Sequence, residues 1–575
     1  MGDRRTPIEQ VRHALAHRSV LFLCVILGVL LASPALTSGL LADDVGQRAF
    51  ILATLNGQTD APWWDMFVLF GASPEQLVQL RYQGQVPWWT STELHIAFWR
   101  PLTAATHYLD YMLWPEQAWL MHLHQLAWHG LACGLAWALY RRVSSSACAA
   151  GAAAIGLSLT HLHLSATAWL AHRNAVLVLV CALACLLAHD RWRRDGWWPG
   201  LVLGPLAYLA GLLCGEMGVA VLGFVLAYAL TLDHATLARR AATLAPYLGV
   251  TVVWRFVYDA LGYGVVGSGI YLDPVAAPGV WLAAAPGRML ELLIYGLGPP
   301  GEIGSAAIGR AAGALVVVAA IVAAGWPSQT EVRQRIAFAA IGLVLSLIPM
   351  TATAAHDRVL VVATIGSCML FGEVLNAASD SDRQPGVGLR LGAVAMIAVH
   401  YVISPIASVV VAANVERFKV SSLPYPIASS LDDSKLRRQS LIVLHTPNLL
   451  AATLVPVSRQ ARGLNRPNFT WVLHAEPTAK LEVRLLDPHT LELHDPQGWL
   501  RGPDSLLVRG PAEPFAVGDQ VQTLDYSLTV LEVVDGRPTR VSVEFHRPVN
   551  DPSFALVSWS GQDFELCPAA GELCP

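Results

Sequence analysis

Asp43 and Asp44 stand side by side just past the first apolar run, Ser19 to Ala35, in a chain whose other long apolar runs carry few charges. A paired carboxylate at the mouth of a membrane protein is a candidate reaction centre, because ionisable groups near lipid face a protein interior or water. One carboxylate suffices to take the proton from an attacking hydroxyl. A carboxylate can also share a divalent cation with a phosphate, since Mg²⁺ and Mn²⁺ favour an oxygen-rich shell. The residues themselves establish no cofactor; Mg²⁺ or Mn²⁺ is the candidate, with Asp44 as its ligand. Arg100, Arg173 and Arg358 add a second kind of chemistry, because a planar guanidinium grips a phosphate through two parallel hydrogen bonds. A preformed zinc site is not expected. His122 and His124 alternate and cannot share a helix face, and His161 and His163 form no i,i+4 pair.

The elements that must position these groups are membrane-spanning helices. Hydrophobic residues make up 54% of the 575 positions and charged residues 14%, against about 25% charged in an ordinary globular chain. Apolar runs of bilayer-spanning length, roughly 17 to 25 residues each, recur from Ser19 to about Ala412 and then stop. Eleven spans are expected, at 19–36, 121–140, 147–165, 174–189, 197–213, 217–232, 241–259, 303–325, 335–353, 357–375 and 388–412. Arg4, Arg5 and Arg12 precede the first, Arg141 and Arg142 follow the second, and Arg191, Arg193 and Arg194 follow the fourth. By the positive-inside rule these ends are cytoplasmic, which turns Asp43, Asp44 and the C-terminal segment outward. Multi-pass insertion in the cell membrane, a bacterial inner membrane, follows as the expected location. A competing reading makes the first run a cleaved secretory signal, with its basic start, short apolar centre and small residues around Ala35.

Two external loops are expected within residues 1–415, at 37–120 and 260–302. The first holds Trp63, Trp64, Trp88, Trp89, Trp99, Trp114 and Trp119, a density that suits an interfacial aromatic belt. The second holds Tyr263, Tyr271 and Trp281 and an amphipathic stretch near Met289 to Ile294. A linker at 416–439 leads to residues 440–575, where short alternating runs such as Lys480 to Leu485 and Thr539 to Phe545 are separated by turns. That pattern predicts an all-β, sandwich-like extracytoplasmic domain, with Cys567 and Cys574 able to close a small terminal loop. The other cysteines lack a CxxC spacing, and six of them, in or beside apolar runs, read as small buried hydrophobes.

Five stretches carry a family resemblance: Ala42-Asp43-Asp44; Trp99-Arg100-Pro101-Leu102-Thr103; Thr160-His161-Leu162-His163 through Trp169 and Arg173; Cys214-Gly215-Glu216-Met217; and His356-Asp357-Arg358-Val359-Leu360 with Ile365-Gly366. In order and spacing they resemble the integral-membrane glycosyltransferases of the GT-C class that use polyprenyl-phosphate sugars, above all the membrane half of the tetratricopeptide-containing O-mannosyltransferases. The resemblance implies a GT-C-like helical membrane domain, and a base role for an acidic residue of the first external loop, carried to Asp43 or Asp44. It implies donor contacts at Arg100, His163, Arg173, Glu216 and Arg358. The expected reaction is inverting transfer of a sugar from a polyprenyl-phosphate donor to a hydroxyl of a protein, glycan or lipid acceptor at the outer membrane face, with no nucleic-acid partner. This chain departs from the family where Gly215 replaces a lysine, Thr160 and His161 replace His-Pro, and Ser165 replaces a glutamate; no tetratricopeptide repeats follow. The departures touch the mannose assignment more than the transferase class. A transporter or flippase of a lipid-linked solute would also want external charges, but no inverted counterpart to the Asp43 to Arg173 block is visible. A membrane scaffold gives no reason for charged groups to gather at one leaflet.

Overall fold

The computed structural model describes residues 6–41, 43–301, 307–325, 330–380, 384–414, 427–477 and 481–567. Ala42, Cys574 and the linker positions 416–426 lie outside the described residues. The chain forms two compact units, one of Met1–Phe67, Phe98–Tyr263 and Trp281–Lys419, the other of Val68–Ala97, Gly264–Val280 and Val420–Pro575.

The first unit is helical. Each segment expected to cross the membrane is largely helical where described. Among the described residues six helices are long and apolar enough to cross one, or seven if the bent pair Ala147–Leu159 and His161–Ala168 counts as one. Length and composition therefore do not establish the expected count of about eleven. One of the six, Pro278–Leu297, lies in the stretch expected to be the second external loop, so much of that loop is a continuous 20-residue helix. The core is built on Ala118–Val143, Ala147–Leu159, Arg173–Asp195 and Thr364–Ala378. Small residues let these helices approach closely. A side chain at Gly372 would put its Cβ 2.3 Å from the Ala149 carbonyl oxygen.

Breaks between helices matter most for the site. Thr160 is extended, and its side chain accepts a hydrogen bond from Leu162 N–H, so the chain bends by 48° between Leu159 and His161. Three short turns then carry residues 161–172 to the start of Arg173–Asp195. Gly215 is likewise extended between Gly200–Cys214 and Glu216–Ala220, and the turn Asp357–Leu360 precedes Thr364–Ala378. All five stretches behind the family resemblance thus have residues at or beside helix ends.

The second unit is not all-β. A five-stranded antiparallel sheet runs in the order Glu482–Asp487, Thr490–His494, Arg537–Phe545, Tyr526–Val534, Gln520–Gln522. A four-stranded sheet runs Phe564–Leu566, Phe554–Trp559, Ser440–His445, Phe469–Val472, and its last three strands are parallel. Parallel neighbours need a crossover, and helices Leu449–Thr453 and Val455–Ala461 supply one between Ser440–His445 and Phe469–Val472. The period-2 signal that marked the strands was silent about these helices. Trp88 and Trp89 are buried in this unit. The indoles of Trp88 and Trp499 both donate to the Leu473 carbonyl oxygen, at 3.1 and 2.9 Å. These two tryptophans of the first loop are core residues and not part of an interfacial belt. Cys567 is disulfide-bonded.

Candidate functional site

Asp43 and Asp44 open the helix Asp43–Leu55, where acidic side chains offset the positive end of the helix dipole. Consecutive helical residues point about 100° apart, and the two carboxylates enter different surroundings. Asp44 is buried. One of its oxygens accepts the Leu41 N–H at 2.8 Å and the other the Ala171 N–H at 2.6 Å. Desolvation raises its pKa to about 7, against the lowering effect of those two hydrogen bonds. Asp44 therefore ties the first loop to the turn before Arg173–Asp195. It does not fit the role of metal ligand, because its oxygens are enclosed and already engaged.

Arg173 belongs to the same enclosed network. It is completely buried, paired with Asp110 at 2.5 Å, and its remaining N–H groups reach Gln125 Oε1 at 3.3 Å and the carbonyls of Thr106 and Met121 at 3.2 Å each. The other Asp110 oxygen receives His124 Nδ1 at 2.6 Å. Trp128 donates to His124 Nε2, which places the proton of the neutral ring on Nδ1, facing Asp110. Arg173 was expected to grip a donor phosphate; its fork is consumed by the protein, so it holds the fold. His163, also expected at the donor, is enclosed as well. It is buried, with Nε2 2.9 Å from Thr364 Oγ1 and its ring edge-on to His129.

The open part of the site is different. The Asp43 side chain is exposed, yet protein crowds it enough that desolvation raises its proton affinity, with the nearby Arg358 guanidinium acting in the opposite direction. Arg358 is half-buried and its side chain makes no ion pair among the described residues. Arg358 and Arg100 both lie within electrostatic reach of His172, as do Asp357 and His356. His356 pairs with Asp357 through Nδ1. Arg100 sits at the start of the helix Pro101–Leu113. Its Nε and Nη2 contact Glu216 Oε2 at 2.9 and 2.8 Å, and its plane covers the rings of Phe98 and Phe67. Arg100 and Glu216 thus arrive together as a pair, while Arg358, within electrostatic reach of Asp43, has no such carboxylate partner among the described residues.

Asp65 went unnoticed in the sequence. It accepts the Tyr263 hydroxyl at 2.5 Å, and Tyr263 stacks on Trp99, next to Arg100. Its place after Trp63-Trp64 was the only signal, and the aromatic run masked it. Among the described residues no cluster of three or more His, Cys, Asp or Glu side chains is arranged to hold a metal ion.

No family model matches this chain, and no curated protein matches it significantly. Among solved structures it is similar to ArnT from Cupriavidus metallidurans bound to undecaprenyl phosphate, at 14% identity over 78% of this chain and 85% of that one, with a TM-score of 0.42. It is also similar to the oligosaccharyltransferase AglB from Archaeoglobus fulgidus in complex with an inhibitory peptide and a dolichol-phosphate, at 12% identity over 76% and 63% of the two chains, with a TM-score of 0.41. Both likenesses are loose, and the functional reading below rests on the residues of this chain.

Proposed function

We propose that this chain is a membrane glycosyltransferase that moves a sugar from a polyprenyl-phosphate donor to an acceptor hydroxyl at the extracytoplasmic face. The observation that carries the reading is an exposed carboxylate, Asp43, within electrostatic reach of a guanidinium, Arg358, that makes no ion pair among the described residues, both beside helix ends. Asp43 takes the acceptor proton as the acceptor oxygen bonds to the anomeric carbon. The bond from that carbon to the phosphate oxygen breaks, and the polyprenyl phosphate leaves with the electron pair. A phosphate is a good leaving group that needs charge neutralisation more than a proton, and Arg358 supplies it. Attack from the face opposite the phosphate inverts the anomeric centre; no carboxylate nucleophile is needed. Desolvation suits Asp43 to the task, because a base with raised proton affinity takes a hydroxyl proton more readily. The Arg100–Glu216 pair borders the donor phosphate, with Arg100 held in orientation by Glu216 and the two phenylalanine rings. No step is assigned to a metal, since Asp44 is unsuited to hold one.

The test is transfer by purified protein in proteoliposomes, with a panel of polyprenyl-phosphate sugars and hydroxyl acceptors. Sugar transfer by the natural chain and its loss in Asp43→Asn supports the proposal. Full activity of Asp43→Asn, or movement of lipid-linked sugar across the bilayer without transfer, removes it.

A further inference from the structure

The unit that contains the C-terminal strands holds a cavity of about 850 Å³. It is lined by the strand Phe469–Val472 at the edge of the four-stranded sheet, by residues of the crossover helices and the loop that follows them, and by residues 83–88. Among its described lining residues there are two arginines, Arg437 and Arg466, and no aspartate, glutamate or lysine. Both arginines are exposed and form no ion pair among the described residues. An anion therefore enters without displacing a protein carboxylate. The remaining polar lining is rich in amides, among them Gln85, Gln460 and Asn468. An amide donates and accepts at once, which matches the two-way hydrogen bonding of a sugar hydroxyl.

The walls are built rather than incidental. Buried Arg459 donates to the Asn465 carbonyl at 2.6 Å and pairs with Asp433 at 2.5 Å. Asp433 in turn receives the backbone N–H and the side-chain amide of Asn465, at 2.9 and 3.0 Å. That network pins the loop that brings Arg466 and Asn468 to the cavity. On the facing segment, Gly84 has φ +68°, and a Cβ there would come within 2.6 Å of the Trp471 ring, so the backbone lies directly on the indole. On the edge strand, Thr470 Oγ1 is covered by protein and has no hydrogen-bond partner, a polar atom left unpaired at the cavity lining.

We infer that this cavity binds an acidic oligosaccharide, whose carboxylate or phosphate groups meet Arg437 and Arg466 while its hydroxyls meet the amides. The volume lies within the roughly 300–1,000 Å³ of small-ligand sites, which suits a short glycan better than an extended peptide. Two planar cations recognise carboxylate and phosphate through the same paired hydrogen bonds. The inference stands apart from the transferase reading, because it rests on different residues.

The test is calorimetric titration of the full-length protein in detergent with trigalacturonate, a phosphorylated trisaccharide, a neutral galactotriose, inorganic phosphate and a tetraglutamate peptide. At least one of the two acidic sugars is expected to bind at least tenfold more tightly than galactotriose, phosphate or the peptide. Arg437→Gln and Arg466→Gln are each expected to weaken that binding by tenfold or more, with unchanged thermal unfolding. Equal binding of galactotriose removes the role of charge, and equal binding of phosphate leaves a bare anion site. Tighter binding of tetraglutamate makes the ligand a peptide. Failure of both acidic sugars to bind, or undiminished binding in both variants, overturns the inference. None of these outcomes bears on Asp43 and sugar transfer, so the two proposals fail separately.

Discussion

Asp44 and Arg173 form an enclosed region, Asp43 and Arg358 an open one, and the two regions are built from the same kinds of residue. In the enclosed region every charge is spent: Asp44 on two backbone N–H groups, Arg173 on Asp110, Gln125 and two carbonyls. In the open region Asp43 lies within electrostatic reach of Arg358, and neither side chain makes an ion pair among the described residues. Residue type and leaflet could not separate the pairs. What separates them is burial together with saturation, since a buried ion pair whose partners are all satisfied specifies structure and leaves nothing to offer a substrate.

The largest effect that would break this contrast is on stability. Arg173→Ala leaves Asp110 buried without its cation, a change that costs about 3–5 kcal/mol. Denaturant unfolding in detergent should show that loss. A stable Arg173→Ala protein that has merely lost donor binding would return Arg173 to the donor site. Next comes the base. Asp43→Asn should lower sugar transfer by about 10²-fold or more, while its unfolding transition stays in place. The acid limb of the pH–rate profile should lie above the usual range of an aspartate, because desolvation raises the Asp43 pKa. A limb at or below that range would take the proton-transfer role away from Asp43.

Asp44→Asn should do the opposite, sparing the chemistry and weakening the fold. An amide nitrogen would face one of the two backbone N–H donors, which costs about 1–3 kcal/mol. The pH dependence adds a second readout. With a folded-state pKa raised from 3.8 to about 7, the folded form binds the proton more tightly than the unfolded form. This contribution to stability is fully present below about pH 4 and is lost as pH rises through 7. Unfolding measured from pH 4 to 7 should show that decline in the natural chain and a flatter line in Asp44→Asn. An equal slope in both would mean that Asp44 is not the group that titrates.

The sequence made the helices legible because their apolar runs are long, and it made the stretches of the site legible because their residues bunch at the ends of those runs. It could not show that Asp44 turns inward and Asp43 outward, since that depends on where Leu41 and Ala171 lie in three dimensions. The fates of Arg173 and His163 were hidden for the same reason: their partners Gln125, Thr106 and Thr364 come from other helices and carry no local signature. In the second unit, alternation revealed the strands of the antiparallel sheet. It concealed the crossover helices, which are too short for their own periodicity to register. Trp88 and Trp89 read as interfacial because composition counts rings and not neighbours, and the place of Trp88 in a core depends on Leu473 and Trp499, far along the chain.

The smallest expected effect sharpens the contrast within the open region itself. Arg358→Lys keeps the positive charge beside Asp43 but loses the planar fork, so one hydrogen bond to a phosphate goes while the Coulombic attraction stays. A single hydrogen bond is worth about 1 kcal/mol net, which is roughly a fivefold rise in the donor KM with kcat nearly unchanged. Arg100→Lys should behave differently, because the guanidinium there also holds Glu216 and covers Phe98 and Phe67. Its loss disturbs the bordering wall, so kcat and KM change together. If the two lysine variants give the same kinetic pattern, Arg358 is bound up with its protein neighbours no less than Arg100, and the open pair of Asp43 and Arg358 is not the place where the donor phosphate is held.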